Sequence, residues 1–457
     1  MLIQFTVSNF LSFNKKETFS LTAGKGRKHS ERIYCDKKSK LTKCAVIFGA
    51  NASGKSNLVS AFQFVQDTIL DGLPRGFSNK YYRLSAENKT APSEFEVRIL
   101  CDSKVYCYGF SIVLSTGSIQ KEYLYEITSK NAQKVLFERD TVTENFFAGQ
   151  YFKQFDSIAK LNTYGEDSSN DYETLFLTII NSNKGKLFAD CPELKILRAI
   201  FEWFAIRLSI SFPESILTGY PYFTNSNLDE IATILKALGT GISKLKIVEI
   251  PVELIKSKIP DDLYNKIVSD LERANTHTTD ENDDHRPRIM VRSYKEFYTF
   301  EISTDNEVSI KTIEFSHETE DIYFNLNEES DGTARLLDLI EVLFKISDNN
   351  IFVIDEIDRC LHPAMTVKII ELFLEMAERR NAQLIITSHE SRLLASDILR
   401  NDEIHFVSKN PQGASVIFPL ECYQLRADKK VYSALFDGTL DATPLFDEAK
   451  LSEVFNK

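Results

Sequence analysis

Alternating apolar and polar residues characterise the first part of the chain. Residues 2–8 (LIQFTVS) and 17–23 (ETFSLTA) both alternate, which is the two-residue period of a strand with one buried face. The same pattern returns between residues 93 and 128, where the turn Ser115–Gly117 interrupts it. The N-terminal part is therefore predicted to be antiparallel β-structure that begins with a hairpin.

Short continuous apolar runs form a second pattern. Cys44–Phe48, Ile351–Ile354 and Leu384–Thr387 are of this kind, which is expected for parallel strands buried on both faces. Helical periodicity follows the first two runs, over residues 58–69 and 364–379. Because strands and helices alternate at both ends of the chain, we predict an α/β core whose mixed sheet is flanked by helices.

The middle of the chain follows neither pattern throughout. Helical periodicity covers Pro192–Arg207, Leu228–Leu238 and Leu254–Arg273, the polar tract Thr276–Asp284 predicts a mobile loop, and residues 289–326 are β-rich. We therefore predict an insertion that splits the α/β core. The three predicted domains are an N-terminal lobe at 1–150, a mainly helical insertion domain at 151–290 and a C-terminal lobe at 291–457.

Composition excludes several classes of protein. The 457 residues are 43% hydrophobic and 26% charged, as in ordinary globular domains, and no apolar run approaches the roughly 20 residues that span a bilayer. The N-terminus lacks the pattern of a secretory signal. The seven cysteines are scattered and never spaced C-x-x-C, which argues against a disulfide framework or a zinc site. We expect a cytoplasmic protein without a membrane partner.

Charge is distributed unevenly along the chain. The net charge is -12, but residues 1–43 carry ten Lys or Arg and three acids, so this segment is +7 and the remainder is -19. A solvated, lysine-rich surface hairpin is the favoured interpretation. The alternative is a local phosphate-attracting face on an otherwise acidic molecule.

The first candidate site lies between the first apolar strand and its helix. Gly49–Ser56 (GANASGKS) matches G-x-x-x-x-G-K-[ST] at every fixed position. In such a phosphate-binding loop (P-loop), glycines let backbone N–H groups surround the phosphates of ATP at the start of a helix. Lys55 is expected to reach the β- and γ-phosphates, and Ser56 to ligate Mg²⁺. The predicted nucleotide-binding residues here are Gly49, Asn51, Ala52, Ser53, Gly54, Lys55, Ser56 and Asn57.

Acidic and imidazole groups end the two later apolar strands. Asp355 and Glu356 follow Ile351–Ile354, and acids at the carboxyl end of a parallel sheet face the ligand crevice. Asp355 is predicted to hold the hydration shell of Mg²⁺, and Glu356 to orient or deprotonate the attacking water. His389 follows the next strand, where a sensor of the γ-phosphate is expected.

A serine lies at the start of a predicted helix near residue 330. In Glu329–Arg335 (ESDGTAR), Ser330, Gly332 and Thr333 come directly before a run of apolar helical positions. Free N–H groups at a helix start, together with the Ser330 hydroxyl, form an anion site. The alternative is an ordinary helix that Ser330 caps.

The order of these motifs resembles that of the ABC ATPase family. In that family the helix-start serine, here Ser330, binds the γ-phosphate of the nucleotide held by the opposite subunit, and the aspartate matching Asp358 also acts across the dimer. The resemblance implies a homodimer or higher homo-oligomer that sandwiches ATP. It also implies an α/β ABC-type P-loop ATPase core, with an N-terminal antiparallel β part, interrupted by the insertion domain.

The branch of the family is indicated by four segments, FTVSNFLSF, Lys55-Ser56-Asn57, ESDGT and DEID. Together they look like the SMC/RecF/OLD-like branch, and more narrowly like the stand-alone AAA-type ATPases of bacterial abortive-infection and anti-phage operons. That likeness implies an ATP-hydrolysing sensor or scaffold switch that controls a separately encoded effector, a Toprim-like or other nuclease.

Two positions depart from the family pattern. Leu11 stands where an arginine is common, and no lid glutamine is evident, so Glu94 is the candidate contact to the water or to Mg²⁺.

Two alternative functions remain open. One is a RecF/SMC-like DNA-repair ATPase that binds DNA directly. The other is a nucleotide-binding module without hydrolysis, which Glu356 makes the weaker alternative.

Overall fold

The chain divides into two compact units. The computed structural model describes residues 1–36, 39–128, 130, 132–213, 227–275, 288–293, 296–302, 307–317, 322–347, 349–423, 431 and 448–455. The first unit comprises Met1–Pro213, Ile346–Asp358 and Ile370–Lys457, and the second comprises Glu214–Lys345 and Arg359–Ile369. The loop predicted at 276–284 lies outside the described residues.

The strands are β1 (Leu2–Ser8), β2 (Glu17–Ser20), β3 (Tyr34–Cys35), β4 (Lys40–Leu41), β5 (Cys44–Phe48), β6 (Ser93–Cys101), β7 (Lys104–Val113), β8 (Ser118–Ile127), β9 (Gln133–Asp140), β10 (Asn145–Ala148), β11 (Leu208–Ser211), β12 (Lys244–Glu249), β13 (Arg288–Ser293), β14 (Glu296–Ile302), β15 (Val308–Ser316), β16 (Phe324–Asn325), β17 (Ile351–Ile354), β18 (Gln383–Thr387), β19 (Ile404–Lys409) and β20 (Ser415–Pro419).

The helices are α1 (Lys55–Leu70), α2 (Phe155–Asp167), α3 (Phe176–Asn181), α4 (Gly185–Asp190), α5 (Lys195–Glu202), α6 (Leu228–Ala237), α7 (Val252–Lys256), α8 (Asp261–Asn275), α9 (Asp331–Phe344), α10 (Pro363–Glu378), α11 (Arg392–Ala395) and α12 (Glu448–Phe455). A π-helical turn, Trp203–Arg207, continues α5. No helix in the described ranges is both long enough and apolar enough to cross a bilayer.

A six-stranded sheet forms the centre of the first unit, in the order β11-β17-β18-β5-β19-β20. All neighbours in it are parallel except the pair β19–β20. Strands β5, β17 and β18 are buried along their whole length, which confirms the prediction from the continuous apolar runs. Because these three strands are adjacent and parallel, the segments that follow them meet at one edge of the sheet.

A seven-stranded sheet in the order β10-β9-β8-β7-β6-β1-β2 completes the first unit. It is antiparallel throughout and begins with the predicted hairpin, in which Phe5 pairs with Phe19. One face packs on α1, where the rings of Phe5 and Phe62 stack with centroids 3.9 Å apart. Gln383 joins the two sheets, since its side chain accepts from Leu2 N at 2.7 Å and donates to the Leu2 carbonyl at 3.0 Å.

Residues 151–213 belong to the first unit, which differs from the predicted boundaries of 1–150, 151–290 and 291–457. Phe176, Leu197 and Trp203 are buried in the same core as the seven-stranded sheet. The fully buried Glu122 of β8 also accepts hydrogen bonds from Phe176 N and Leu177 N at the start of α3. The apolar faces of these helices therefore cover the β-sheet rather than forming a core of their own.

The second unit is built on an antiparallel sheet in the order β12-β15-β14-β13, with β16 paired to β15. Its core joins Tyr264, Ile267 and Leu271 of α8 to Tyr298 and Phe300 of β14. The strands that were predicted at 289–326 therefore pack against helices that were assigned to a separate domain. Sequence periodicity predicts the elements of the two segments but not that these elements pack against each other.

Candidate nucleotide site

A cavity lies at the edge of the six-stranded sheet where β5, β17 and β18 end. It has a volume of about 490 Å³ and is lined by Asn51, Ala52, Ser53, Gly54, Lys55, Ser56, Asn57, Glu356 and His389. The structure thus brings the predicted P-loop together with the predicted general base and γ-phosphate sensor. Asp355, just before Glu356, is buried at 2% exposure.

The glycines of the P-loop are required by close backbone packing. A Cβ atom at Gly49 would lie 2.3 Å from the Val407 carbonyl oxygen, and one at Gly54 would lie 2.2 Å from Ser415 Oγ. Gly54 also has a φ of +114°, which side-chain-bearing residues rarely adopt. Helix α1 begins directly after Gly54, and within the described chain no side chain caps it. Its first N–H groups therefore point to an anion site.

Lys55 lies in the field of three carboxylates. Its ammonium group donates to the carbonyl oxygens of Gly49 at 2.9 Å and Ala50 at 3.2 Å. Burial lowers the pKa of Lys55, while the charges of Asp355, Glu356 and Asp358 act in the opposite direction. The ammonium group of Lys55 therefore lies close to both the loop and the acids. Binding of a polyphosphate together with a metal ion requires a cation in this position.

The turn that carries the acids is fastened to the end of β18. Thr387 Oγ1 donates to Asp355 Oδ1 at 2.5 Å and accepts from Glu356 N at 2.7 Å. Ile357 N donates to the Thr387 carbonyl at 3.1 Å, and His389 N donates to the Asp358 carboxylate at 3.3 Å. Glu356 has a φ of +46°, so this turn is held in a conformation that costs energy for a residue other than glycine.

The surroundings of His389 favour its neutral form. Burial, followed by the charge of Lys55, lowers the pKa of His389 below its usual 6.5, and the charges of Asp358, Glu356 and Asp355 oppose that shift. A neutral imidazole can donate one hydrogen bond and accept another. Such a group is suited to a hydrogen bond with a phosphate oxygen.

Two serines outside the nucleotide motifs support the P-loop. Ser12 Oγ accepts from Asn57 Nδ2 at 2.7 Å and shares a hydrogen bond of 2.7 Å with Ser415 Oγ. Ser415 Oγ also lies 2.5 Å from the Ser53 carbonyl oxygen. Ser12 belongs to the opening segment FTVSNFLSF, which was a usable signal, whereas nothing in the sequence around Ser415 marks it. Thr387 was visible only as the polar end of an apolar run.

The cavity fits the phosphates of a nucleotide and a magnesium ion. Ser53 Oγ is buried and has no hydrogen-bond partner among the described residues. The glycine cradle, the open start of α1 and Lys55 supply donors for phosphate oxygens, and Ser56 and Asp355 supply the hard oxygen ligands that Mg²⁺ prefers. No single residue decides the fit, which rests on the whole donor set.

Glu94 lies elsewhere in the first unit. It is the second residue of β6 and lines a separate cavity together with Lys16, Glu96, Lys121 and Tyr123. It is not among the residues that line the P-loop cavity. The structure therefore does not bring Glu94 together with the other predicted metal-binding residues.

The predicted serine motif belongs to the second unit. Ser330 precedes α9, and its Oγ accepts from Thr333 N at 3.0 Å and lies 2.9 Å from Thr333 Oγ1. A Cβ atom at Gly332 would lie 2.7 Å from the Cys360 carbonyl oxygen, so the next loop approaches the start of α9 too closely for a side chain. The ordinary helix cap, one of the two interpretations of Ser330, is thus present in the fold.

Part of the basic segment at residues 1–43 has structural roles. Lys28 Nζ donates to the Leu399 carbonyl at 2.9 Å, Arg32 to the Ile398 carbonyl at 2.9 Å, and Lys43 to the Ala377 carbonyl at 2.6 Å. Lys43 is buried near the end of α10, where a cation satisfies helix carbonyls. Neither of the two interpretations, a solvated surface hairpin or a phosphate-attracting face, predicts these contacts with carbonyl oxygens of the fold.

A P-loop between a buried strand and a helix, with paired acids on a neighbouring parallel strand, defines a nucleoside triphosphatase of the P-loop class. The model of the family described as "AAA domain, putative AbiEii toxin, Type IV TA system" matches residues 44–168 and 197–395. The chain belongs to this family. The predicted resemblance to AAA-type ATPases of abortive-infection systems is thereby confirmed, and the protein is an ATPase of this type.

Solved structures that match the chain include heads of SMC proteins. One is an Smc head bound to the C-winged helix domain of ScpA, with 14% identity over 92% of this chain and 99% of that chain and a TM-score of 0.42. The Pyrococcus furiosus Smc head with an extended coiled coil, bound to the C-terminal domain of ScpA, has 15% identity over 92% and 97% and a TM-score of 0.41. The Thermotoga maritima SMC head has 12% identity over 92% and 98% and a TM-score of 0.34. No curated protein matches the chain.

Proposed function

We propose that the protein hydrolyses ATP with Mg²⁺ at the P-loop cavity. The observation that carries the proposal is that Glu356 and His389 line the same cavity as residues 51–56 of the P-loop. Bound Mg²⁺ supplies charge stabilisation of the phosphates and would be held by Ser56 and Asp355. Lys55 binds the β- and γ-phosphates, Glu356 orients or deprotonates the attacking water, and His389 donates to the γ-phosphate.

We further propose that each site is completed by a second copy of the chain. The family resemblance assigns Ser330, Gly332 and Thr333 to the nucleotide of the opposite subunit, with Asp358 also acting across the dimer. The start of α9 has the groups for this role, because a serine hydroxyl and helix N–H groups are good phosphate ligands. ATP would then act as the link between two copies.

The finer proposal is that this ATP-dependent assembly acts as a switch in bacterial anti-phage defence. The description of the family names a type IV toxin–antitoxin system, and the resemblance to abortive-infection ATPases supports control of a separately encoded effector, with a nuclease as the proposed class. ATP binding would join the copies and hydrolysis would release them, so the state of the nucleotide would set the state of the effector.

The test of hydrolysis is a phosphate-release assay with a matched pair of variants. Glu356→Gln should lower turnover by about 10²–10⁴-fold, the range ascribed to a positioned acid–base group, while ATP binding is retained. Glu375→Gln, an exposed position on α10, is the control and should match the wild type. Equal turnover in all three proteins would overturn the proposal.

The test of the composite site is complementation between two inactive variants. Glu356→Gln and Ser330→Ala each keep the P-loop, so both bind ATP. In a mixed dimer, one site combines the intact Glu356 of one chain with the intact Ser330 of the other. An equal mixture should therefore recover about a quarter of the wild-type rate, because about half of the dimers are mixed and each has one intact site. A site contained in one chain predicts no recovery.

A further inference from the structure

Thr387 occupies a central place at the edge of the six-stranded sheet. It is the last residue of β18, which lies between β17 and β5, and it pairs with Ile47 two residues before the P-loop. Its side chain is fully buried. It therefore lies between the strand that carries the acids and the strand that carries the P-loop, and it is out of reach of solvent.

The direction of both hydrogen bonds at Thr387 is fixed by chemistry. The Glu356 N–H can only donate, so Thr387 Oγ1 must accept from it, at 2.7 Å. A hydroxyl has one proton, and the Thr387 proton is then left for Asp355 Oδ1, at 2.5 Å. One hydroxyl thus fixes the carboxylate of Asp355 and the backbone of Glu356 at the same time.

Each of these bonds holds a group that would otherwise be less well placed. Asp355 is buried, and occupation of Oδ1 by Thr387 sets which way Oδ2 faces. Glu356 has a φ of +46°, and such a conformation costs on the order of 1–3 kcal/mol unless its surroundings impose it. The bond from Glu356 N to Thr387 helps to impose it, and so sets where the carboxylate of Glu356 projects.

We propose that Thr387 is a positioning residue for hydrolysis, which aligns Asp355 with the metal and Glu356 with the attacking water through its single hydroxyl. The inference rests on the proposed ATPase site and deepens it. Thr387 is not expected to contact ATP, since it acts through the two acids. Removal of its hydroxyl should therefore affect the metal requirement and the turnover while ATP still binds.

Thr387→Val, which keeps the shape and removes the hydroxyl, tests the proposal. Replacement of groups that orient metal ligands typically lowers activity or metal affinity by about 10–100-fold. We expect a fall of this size in kcat, with KM for ATP changed less than about threefold. Thr387→Ser, which keeps the hydroxyl, should recover most of the turnover. Thr68→Val is the control, because Thr68 is also fully buried and its hydroxyl donates to the Phe64 carbonyl within α1, at 2.6 Å.

A second measurement does not depend on turnover. Binding of a fluorescent ATP analogue is measured in EDTA and then during titration with MgCl₂. In Thr387→Val, affinity in EDTA should equal that of the wild type, while the Mg²⁺ concentration for half of the metal-dependent change should rise about tenfold. If thermal unfolding shows that Thr387→Val does not fold, Thr387→Ala gives the same comparison with a smaller side chain.

Two outcomes would overturn the assignment of Thr387. One is wild-type kcat and wild-type Mg²⁺ dependence in the variant without the hydroxyl, and the other is an equal loss in Thr387→Ser and Thr387→Val. Failure of the proposed function is distinguishable, because it appears as full turnover in Glu356→Gln. An inactive Glu356→Gln together with a fully active Thr387→Val would contradict only the positioning role of Thr387 and would leave the proposed ATPase function standing.

Discussion

Two helices of this protein begin in opposite ways, although both starts were predicted to bind phosphate. Helix α1 begins after Gly54, whose φ is +114°, and in the described chain no side chain caps it. Helix α9 begins after Ser330, whose Oγ accepts from Thr333 N at 3.0 Å. The first start leaves its N–H groups to a ligand, whereas the serine at the second start satisfies the N–H of Thr333.

The two helix starts differ in the groups that they leave for a ligand. An uncapped start is a strong anion site, because phosphate supplies hydrogen bonds that the fold does not. A capped start is stable by itself, and Ser330 uses a lone pair for the cap, so its proton remains available to Thr333 Oγ1 or to a phosphate oxygen. We infer that α1 supplies affinity for ATP and that α9 supplies discrimination between nucleotide states.

The largest expected effect is on the α1 side. Lys55→Ala should lower ATP affinity by about 10–100-fold, since a charge-assisted hydrogen bond is worth about 1.5–3 kcal/mol, and hydrolysis should be lost. Ser330→Ala should leave ATP affinity of the dilute protein unchanged. Equilibrium binding of a fluorescent ATP analogue checks both. Equal losses of affinity in the two variants would contradict the inference that α1, rather than α9, supplies the affinity for ATP.

Ser330 is expected to matter for rate. Ser330→Ala should reduce turnover by about 10²–10³-fold, the usual effect of one lost donor to a developing charge, and it also removes a cap worth about 1 kcal/mol. Ser330→Asp keeps a capping side chain but places a negative charge where phosphate is expected. Hydrolysis should therefore be lost in both variants, with lowered stability only in Ser330→Ala. If turnover instead fell only in Ser330→Ala, the variant with lowered stability, the role of Ser330 would be limited to capping the helix.

The glycines at the two starts allow a matched comparison. Gly54→Ala places a side chain at a positive φ and should reduce ATP affinity about tenfold, because left-handed backbone costs about 1–2 kcal/mol for other residues. Gly332→Ala places a Cβ 2.7 Å from the Cys360 carbonyl oxygen. It should lower the melting temperature but not the affinity for ATP. Calorimetry and nucleotide binding, measured on both variants, separate these effects.

The smallest expected effect is a shift in the pKa of His389. Burial and Lys55 both lower the pKa of His389 below its ordinary value and so favour the neutral imidazole. Lys55→Ala removes the second cause and should raise the pKa of His389, whereas Ser330→Ala in the dilute protein should not. Titration of the imidazole C–H signal by NMR measures it. A pKa in Lys55→Ala at or below that of the wild type would contradict the geometry.

The sequence was sufficient for most of the first unit's central elements. The predicted strands at Cys44–Phe48 and Ile351–Ile354 have those bounds in the structure, because strands buried on both faces are apolar throughout. The predicted helix at Leu254–Arg273 is instead two helices, α7 and α8. Pro260 lies at the break, where it removes an N–H donor and disfavours helix in the preceding residue.

Long-range packing was less accessible from the sequence. The apolar faces of residues 151–213 are visible in the pattern, but the pattern does not say which sheet they cover. The same holds for the site, because spacing identified the P-loop, Asp355 and Glu356 but not the Thr387 hydroxyl between them. Ser415 supports the P-loop from the far end of the chain, and only the completed fold brings it there.

The order of strands in the six-stranded sheet also determines when the P-loop can fold during synthesis. The P-loop strand β5 is complete by residue 48, yet it lies between β18 and β19, which end at residues 387 and 409. At about 5–20 residues per second, a ribosome needs on the order of tens of seconds to supply these neighbours. A nascent or truncated chain therefore carries the whole P-loop sequence without a sheet to support it. ATP binding thus reports that synthesis has passed β19.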